Sequence, residues 1–219
     1  MPIADWEVYK ANASQTFVVE TSSPIHGSGS FKFNRGGTAG QYENIRRLNT
    51  PRGFTSGRLR WLFKMPGTLL LNTYAGVAFQ QGQADLTATG TAYYACIQIS
   101  NSSSSHRLQI RQMTAGLPTT TQLFQSTSAF TATTGTVLSL EVQWVLDIAS
   151  LGGIRFNMKR GTATDYSDLV DEPGIINQVS TTTVLQTSVG EGPASVLGTT
   201  TQVDHLYDRI HCVPLAVGG

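Results

Sequence analysis

Hydrophobic and polar residues alternate with a period of two in four stretches of the chain: 58–65, 107–113, 137–147 and 154–160. In the first stretch one side of the alternation is apolar, with Leu59, Trp61, Phe63 and Met65. Successive side chains of a strand point to opposite faces of a sheet. Each stretch therefore predicts a strand with one buried and one solvent-facing side, and Trp61 and Trp144 are predicted to be buried.

Weaker alternation, interrupted by Gly, Pro, Asn and Ser clusters, predicts further strands at 6–10, 15–21, 28–34, 41–48, 74–81, 92–100, 121–126, 183–189 and 203–213. A helical turn is predicted at 167–171, and the Gly/Pro/Thr-rich stretch 114–121 is predicted to be a hairpin loop. Sheets with one buried and one wet face are typical of antiparallel sandwiches. The prediction is an all-β, antiparallel two-sheet sandwich in a single domain, 1–213, followed by a short C-terminal arm, 214–219.

Several segments resemble strands of the concanavalin A-like (laminin G-like) jelly roll. Residues 27–33 (GSGSFKF) are similar to an early strand of such domains, and residues 75–80 with 92–99 resemble a central strand pair. Residues 106–111, 138–147 and 203–210 resemble later strands. The resemblance covers about residues 25–213 and implies the jelly-roll fold, which is also found in tailed-bacteriophage virion proteins. It implies no single function, because this fold occurs in lectins, glycan hydrolases, adhesion modules and virion proteins.

Only 13% of the 219 residues are charged, and the net charge is +1. Ordinary soluble proteins have roughly a quarter charged residues, so this weakly charged surface suits a protein covered by neighbours or one that acts outside the cell. A net charge near zero gives no general attraction to nucleic acid or to an anionic membrane. Residues 1–6 have neither the basic nor the apolar region of an export signal, so synthesis in the host cytoplasm without a signal peptide is expected.

The acidic residues do not form the pair that glycoside hydrolysis requires, two carboxylates roughly 5–10 Å apart. Glu141 and Asp147 share a face but are six residues apart, and the strand that holds two carboxylates in hydrolases of this fold reads EVQWV at 141–145. Asp204 and Asp208 share a face, but Asp208 is expected to accept hydrogen bonds from a loop backbone; the resemblance leaves calcium binding by Asp208 as an alternative.

The remaining candidates for chemistry are the cysteines and the histidines. Cys96 and Cys212 are predicted to be unpaired, with a disulfide between them or between subunits as the alternative. The four histidines lack zinc-binding spacing. The chain is therefore predicted not to be an enzyme and to have no catalytic residue, metal or cofactor.

Basic residues are concentrated between Lys32 and Lys64, where eight Lys or Arg accompany only Glu43. We predict a basic, amide-rich sheet face that binds a partner through Arg46, Arg47, Arg58, Arg60, Lys64, Arg107, Arg111, Arg155 and Lys159, because Arg recognises carboxylates with two parallel hydrogen bonds. The alternative is that these side chains only solvate a sheet. An acidic loop is expected to be the complementary patch on an identical neighbouring subunit, with Asp165, Asp168, Asp171 and Glu172.

Together these features favour a virion structural protein of a tailed bacteriophage, a capsid decoration (cement) or tail-associated protein. It is expected to be a homo-oligomer, such as a trimer, that contacts the major capsid or tail protein without covalent bonds. The alternative is a lectin-type carbohydrate-binding or receptor-binding module, with Phe54, Tyr94 and Tyr166 as platforms for sugar rings. A hydrolase or lyase is the third hypothesis.

Overall fold

The computed structural model describes residues 6–10, 16–35, 42–47, 56–71, 73–81, 91–114, 117–147, 152–180, 190–196 and 203–215. They form fifteen β-strands: β1 (Trp6–Lys10), β2 (Thr16–Glu20), β3 (Ser30–Arg35), β4 (Tyr42–Arg47), β5 (Ser56–Lys64), β6 (Thr73–Gln81), β7 (Thr91–Ile99), β8 (Arg107–Thr114), β9 (Leu117–Gln125), β10 (Val137–Asp147), β11 (Gly153–Gly161), β12 (Val170–Asp171), β13 (Gln178–Ser180), β14 (Gly190–Val196) and β15 (Val203–Pro214). Within this part of the chain, no helix is long and apolar enough to cross a bilayer.

The strands form two sheets in which the described neighbours pair antiparallel. Sheet A has the order β1-β4-β14-β6-β7-β8-β9. Sheet B has the order β12-β11-β10-β5-β15-β3-β2, and β13 pairs with β11. The two sheets bury their facing sides against each other, so the predicted all-β, antiparallel two-sheet sandwich is confirmed.

The four alternating stretches are strands β5, β8, β10 and β11, as predicted. The loop predicted at 114–121 is wrong, because Thr114 of β8 pairs with Pro118 of β9. Its Thr-rich sequence has high β propensity, and β9 is the edge strand of sheet A, where a proline is tolerated. The predicted helical turn at 167–171 is also wrong, since residues 170 and 171 pair with β11.

Strand β14 was not predicted, and the strand predicted at 183–189 lies outside the described residues. The β14 sequence, GEGPASV, has no alternation, yet it pairs with both β4 and β6. At the C-terminus, β15 ends at Pro214 and the Leu215 N–H donates to the Ser56 carbonyl. Residues 216–219, most of the predicted arm, lie outside the described residues, and the single-domain boundary stays a prediction.

Aromatic side chains from both sheets form the core. Trp144 of sheet B contacts Phe79 of sheet A with ring centroids 4.9 Å apart, and Phe156 meets Tyr93 edge-on at the same distance. Trp61 and Trp144 are 0% and 1% exposed, which confirms their predicted burial. Such aromatic pairs add about 1 kcal/mol each beyond the area that they bury.

Both cysteines are buried and neither forms a disulfide bond within the chain, so the alternative of a bridge between Cys96 and Cys212 is wrong. Cys212 faces the core between the sheets. Cys96 belongs to a small second cluster on the other side of sheet A, with Ala78, Ala92 and Tyr94. Burial raises the pKa of the Cys96 thiol to about 12, against a slight lowering by Arg111, so this group is a thiol at neutral pH.

Gly57 makes room for the indole of Trp144. A Cβ at Gly57 would lie 2.3 Å from the Trp144 ring. We expect Gly57→Ala to lower the free energy of unfolding by about 1–3 kcal/mol through overpacking, as measured by denaturant titration. Gly67→Ala is the matched control, since a Cβ there meets no atom within 4 Å. If the two substitutions lowered the free energy of unfolding equally, this packing of Trp144 against Gly57 would be contradicted.

His106 is fully buried and neutral, which makes stability depend on pH. The Ser100 N–H donates to Nδ1 at 3.1 Å, and Nε2 lies 2.9 Å from the Ala132 carbonyl. Burial lowers the pKa of His106, and the hydrogen bond to Ala132 offsets this only in part. The unfolded chain binds a proton near pH 6.5, whereas the folded chain does so only at lower pH. Stability should therefore fall as the pH drops below about 6.5.

Denaturant unfolding at about pH 5 and about pH 7.5 measures this dependence. In the His106→Gln variant the difference between the two pH values should be smaller than in the wild type, since glutamine does not titrate. If the free energy of unfolding differed between the two pH values by the same amount in the variant, groups other than His106 would account for the whole pH dependence.

Candidate functional site

The predicted basic residues lie in both sheets, so the prediction of a single basic face is wrong. Arg58, Arg60 and Lys64 of β5 and Arg155 and Lys159 of β11 are on the outer side of sheet B. Arg107 and Arg111 are on the outer side of sheet A, whose strand β4 contains Arg46 and Arg47. Alternation predicts which side of a strand faces outward, but strand pairing decides which sheet the strand joins.

A buried carboxylate lies beside two arginines of sheet B, Arg58 and Arg60. Glu141 of β10 is only 2% exposed, and its Oε2 lies 2.5 Å from Arg60 Nε and 3.8 Å from Arg58 Nε. Gln143 Nε2 donates to the other carboxylate oxygen of Glu141 at 2.5 Å. These contacts connect β5 to β10 across 81 residues of sequence, so much of this positive charge has a structural partner.

The acidic loop also has partners inside the chain. The Asp168 carboxylate accepts the backbone N–H groups of Thr162 and Ala163, which lowers its pKa. The other three acidic side chains also have partners. Asp165 accepts a hydrogen bond from Ser167, Asp171 forms an ion pair with Lys159, and Glu172 forms an ion pair with Arg160. The loop folds over the outer side of sheet B, and its role as a patch for a second subunit stays a prediction.

A cluster of amides around Gln109 lies on the outer side of sheet A. Gln109 of β8 donates from Nε2 to Gln98 Oε1 at 2.8 Å and to Gln125 Oε1 at 3.0 Å, and its own Oε1 accepts from Arg111. The Arg111 guanidinium lies 4.6 Å from the centroid of the Tyr74 ring. We call these five side chains the Gln109 cluster. Gln109 is 1% exposed, whereas the other four are half-buried.

Strand register explains why these side chains meet. Gln109 lies opposite Cys96 on β7 and Gln125 on β9, and Gln98 lies opposite Tyr74 on β6. Small residues lie beside the cluster: Gly76, Ala78 and Ala92. A Cβ at Gly76 would be 2.0 Å from the Ala95 carbonyl oxygen, so β6 and β7 approach closely here.

The cluster is basic as well as amide-rich. Residues 73–79, 92–112 and 121–126 contain no Asp or Glu, while β8 supplies Arg107 and Arg111. Arg107 Nη1 donates to the carbonyls of Ser126 at 2.7 Å and Thr127 at 3.1 Å, which fixes its side chain next to the cluster. Guanidinium and amide groups donate hydrogen bonds to carboxylates and to sugar hydroxyls. This surface therefore has the chemistry to bind an acidic, hydroxyl-rich ligand.

The predicted sugar-stacking platforms have different outcomes. Tyr94 is 0% exposed, so its prediction as an exposed platform is wrong: it packs in the small cluster with Cys96. Phe54 lies outside the described residues. Tyr166 is half-buried and lines a cleft on sheet B. Tyr74 was missed, because a tyrosine beside the Ala/Gly run of β6 gave no separate signal.

Asp208 has the loop-binding role that the sequence favoured. Its carboxylate accepts the His26 N–H at 2.9 Å, the Ser30 hydroxyl at 2.8 Å and the Arg209 N–H at 2.7 Å. Among the described residues, no three His, Cys, Asp or Glu side chains come together in a way that would hold a metal ion. Calcium binding through Asp208 gains no support from this geometry.

Neither a protein-family model nor a curated protein matches the chain. Solved structures do match. Cip1, a cellulose-induced protein, superposes with a TM-score of 0.60 at 15% identity, covering 100% of this chain and 95% of its own. The exoplasmic/lumenal domain of VIP36, in a form bound to Ca²⁺ and Man3GlcNAc, gives 0.55 at 12% identity, covering 99% and 88%.

The chain has a concanavalin A-like sandwich fold. Identities this low establish the fold alone. The link to bacteriophage virion proteins is not found in these structures, which include lectin and carbohydrate-active proteins.

The prediction that the chain is not an enzyme is contradicted. The alginate lyase from Aplysia kurodai superposes with a TM-score of 0.57 at 8% identity, covering 95% of this chain and 90% of its own. The prediction failed because it tested for paired carboxylates, metal ligands and nucleophiles, whereas general acid–base chemistry also uses Tyr, His and Lys. This fold therefore occurs in lyases, and the lack of paired carboxylates does not exclude enzymatic activity.

Glu141 provides a test of the sheet B arrangement. Glu141→Gln should lower the free energy of unfolding by about 2 kcal/mol, because Arg60 loses a charged hydrogen-bond acceptor and Arg58 loses its ion-pair partner. Asp171→Asn is the control: its ion pair with Lys159 is 3.5 Å long and Asp171 is 51% exposed, so an effect below about 0.5 kcal/mol is expected. Urea titration measures both variants, and a Glu141 effect no larger than the control would contradict the structural role.

Proposed function

We propose that this protein binds acidic polysaccharides on the outer side of sheet A, with uronate residues over the Gln109 cluster. The observation that carries the proposal is a guanidinium group on strands without acidic residues, combined with three amides and a tyrosine ring. In this arrangement Arg111 binds a uronate carboxylate. Gln98 and Gln125 bind ring hydroxyls.

The cluster is ordered before any ligand arrives. Both N–H groups and the carbonyl of the Gln109 amide have partners, so it holds Gln98, Gln125 and Arg111 in fixed positions. The Tyr74 ring further restrains the guanidinium of Arg111. Side chains that are already immobilised lose little conformational entropy on binding, which favours affinity.

The structural neighbours support carbohydrate as the ligand class. VIP36 was solved with Man3GlcNAc, and an alginate lyase acts on a polymer of uronates. The positive charge of β8 favours an acidic polymer over a neutral one. Since a lyase shares the fold, the polysaccharide should also be examined for cleavage, by the ultraviolet absorbance of unsaturated uronate ends.

A bacteriophage virion protein stays a more specific hypothesis, in which the chain binds acidic polysaccharide as part of the particle. A receptor-binding protein of a bacteriophage would meet acidic polysaccharide on a bacterial surface. The capsid or tail partner, the homo-oligomer and the virion location stay predictions. Native mass measurement tests the oligomer, and a monomer would weaken the capsid decoration hypothesis.

Arg111→Ala should weaken binding to alginate or polyglucuronate about ten- to a hundredfold, the effect of losing a hydrogen bond to a charged group. Calorimetric titration or affinity electrophoresis measures this change. Binding should also weaken with added salt, which screens charges. Arg155→Ala, on the outer side of sheet B, is the matched control and should bind as the wild type does.

Equal losses in the two arginine variants would contradict the assignment of the site. So would tighter binding to a neutral glucan than to the uronate polymers. Thermal unfolding of each variant shows whether it is folded under the conditions of the titration.

A further inference from the structure

A concave site lies on the opposite side of the molecule from the Gln109 cluster. An open cleft of about 420 Å³ is lined by Arg60, Asp165, Tyr166, Arg209, Ile210 and His211. It lies between the loop 162–169 and the middle of β15, on the outer side of sheet B. Its volume falls in the range of small-molecule sites.

Two non-glycine residues with left-handed backbone conformations face each other across this cleft. Tyr166 has φ 64° and Arg209 has φ 48°. Arg209 is part of the irregularity that interrupts the pairing of β15 with β5 between Asp208 and His211. Bulges redirect side chains and are common at functional sites, and left-handed non-glycine residues are strained positions that concentrate at such sites.

Two hydrogen bonds join the walls of the cleft. The Tyr166 hydroxyl donates to the Arg209 carbonyl at 3.1 Å, and Arg209 Nη1 donates to the Thr164 carbonyl at 2.7 Å. Arg60 lies 5.4 Å from the centroid of the Tyr166 ring. The loop and the bulge therefore position one another, and the cleft is formed without a ligand.

Several donors lining the cleft have no acceptor within the described structure. Arg60 donates to Glu141 through Nε. Its two terminal guanidinium nitrogens have no acceptor among the described residues. Among the described residues, the Arg209 guanidinium has one acceptor, the Thr164 carbonyl, which Nη1 contacts. The exposed His211 ring makes no hydrogen bond to a described residue. The one carboxylate in the lining, Asp165, is bound by the Ser167 hydroxyl and N–H, which lowers its pKa.

We propose that this cleft binds a carboxylated sugar residue, whose carboxylate contacts Arg60 and Arg209. Tyr166 and Ile210 provide apolar surface for the sugar ring. The Asp165 carboxylate accepts a ring hydroxyl. A neutral sugar would leave the guanidinium groups without an acceptor, and an inorganic anion would make no use of the ring surface. The proposal does not depend on the site in sheet A.

Titration with glucuronate, followed by amide chemical shifts in NMR spectra, tests the proposal. Shifts are expected at residues 164–167 and 209–211. Glucose and inorganic phosphate are the comparison ligands. Arg209→Gly is the informative variant, because glycine adopts the left-handed conformation without steric cost and the fold should be kept. It should weaken glucuronate binding at this cleft at least tenfold.

Arg111→Ala, in the Gln109 cluster, is the control and should leave the cleft titration unchanged. This control separates the two sites: loss of polymer binding in Arg111→Ala concerns sheet A alone. The cleft proposal is overturned if glucuronate shifts no cleft residue, or if glucose or phosphate shifts the same residues with equal affinity. Unchanged glucuronate binding in a folded Arg209→Gly variant would also overturn it.

Discussion

The packing of Trp144 between the two sheets determines how both outer surfaces are arranged. Its indole fills the space above Gly57 on the neighbouring strand and contacts Phe79 of the opposite sheet. Once Trp144 and Phe79 face inward, every second residue along their strands must face outward. Glu141 is thereby placed beside Arg60, and Tyr74 is placed on the same side as Gln98. The packing of the core thus determines which polar side chains lie together on the outer sides of the two sheets.

The two outer surfaces use arginine in different ways. On sheet B, Arg58 and Arg60 meet the buried carboxylate of Glu141, and the pair of strands gains a charged contact. On sheet A, Arg111 meets an amide and a tyrosine ring, on strands whose sequences contain no acid. The positive charge of Arg58 and Arg60 therefore mainly stabilises the pairing of their strands, whereas that of Arg111 is suited to an acidic ligand. In the cleft beside Arg209, one arginine has both roles: Arg60 donates to Glu141 through Nε and also lines the cleft.

Local pattern predicted the parts of the fold that depend on alternation. Strands such as β5 and β10 were predicted because one side of each is apolar. Strand β14 was not, since Gly190, Gly192 and Pro193 disfavour a strand and only its pairing with β4 and β6 holds it. The site was harder to predict than the fold. Whether Arg60 and Arg111 share a surface depends on strand pairing between residues distant in sequence, and alternation carries no information about it.

The central claim is that sheet A binds acidic polysaccharide through the Gln109 cluster. A crystal structure with a uronate oligosaccharide tests it most directly. The account predicts sugar density across β6, β7 and β8, with one carboxylate on the Arg111 guanidinium and hydroxyls on Gln98 or Gln125. An oligosaccharide bound only elsewhere on the molecule, or one that contacts sheet A without reaching Arg111, would contradict it.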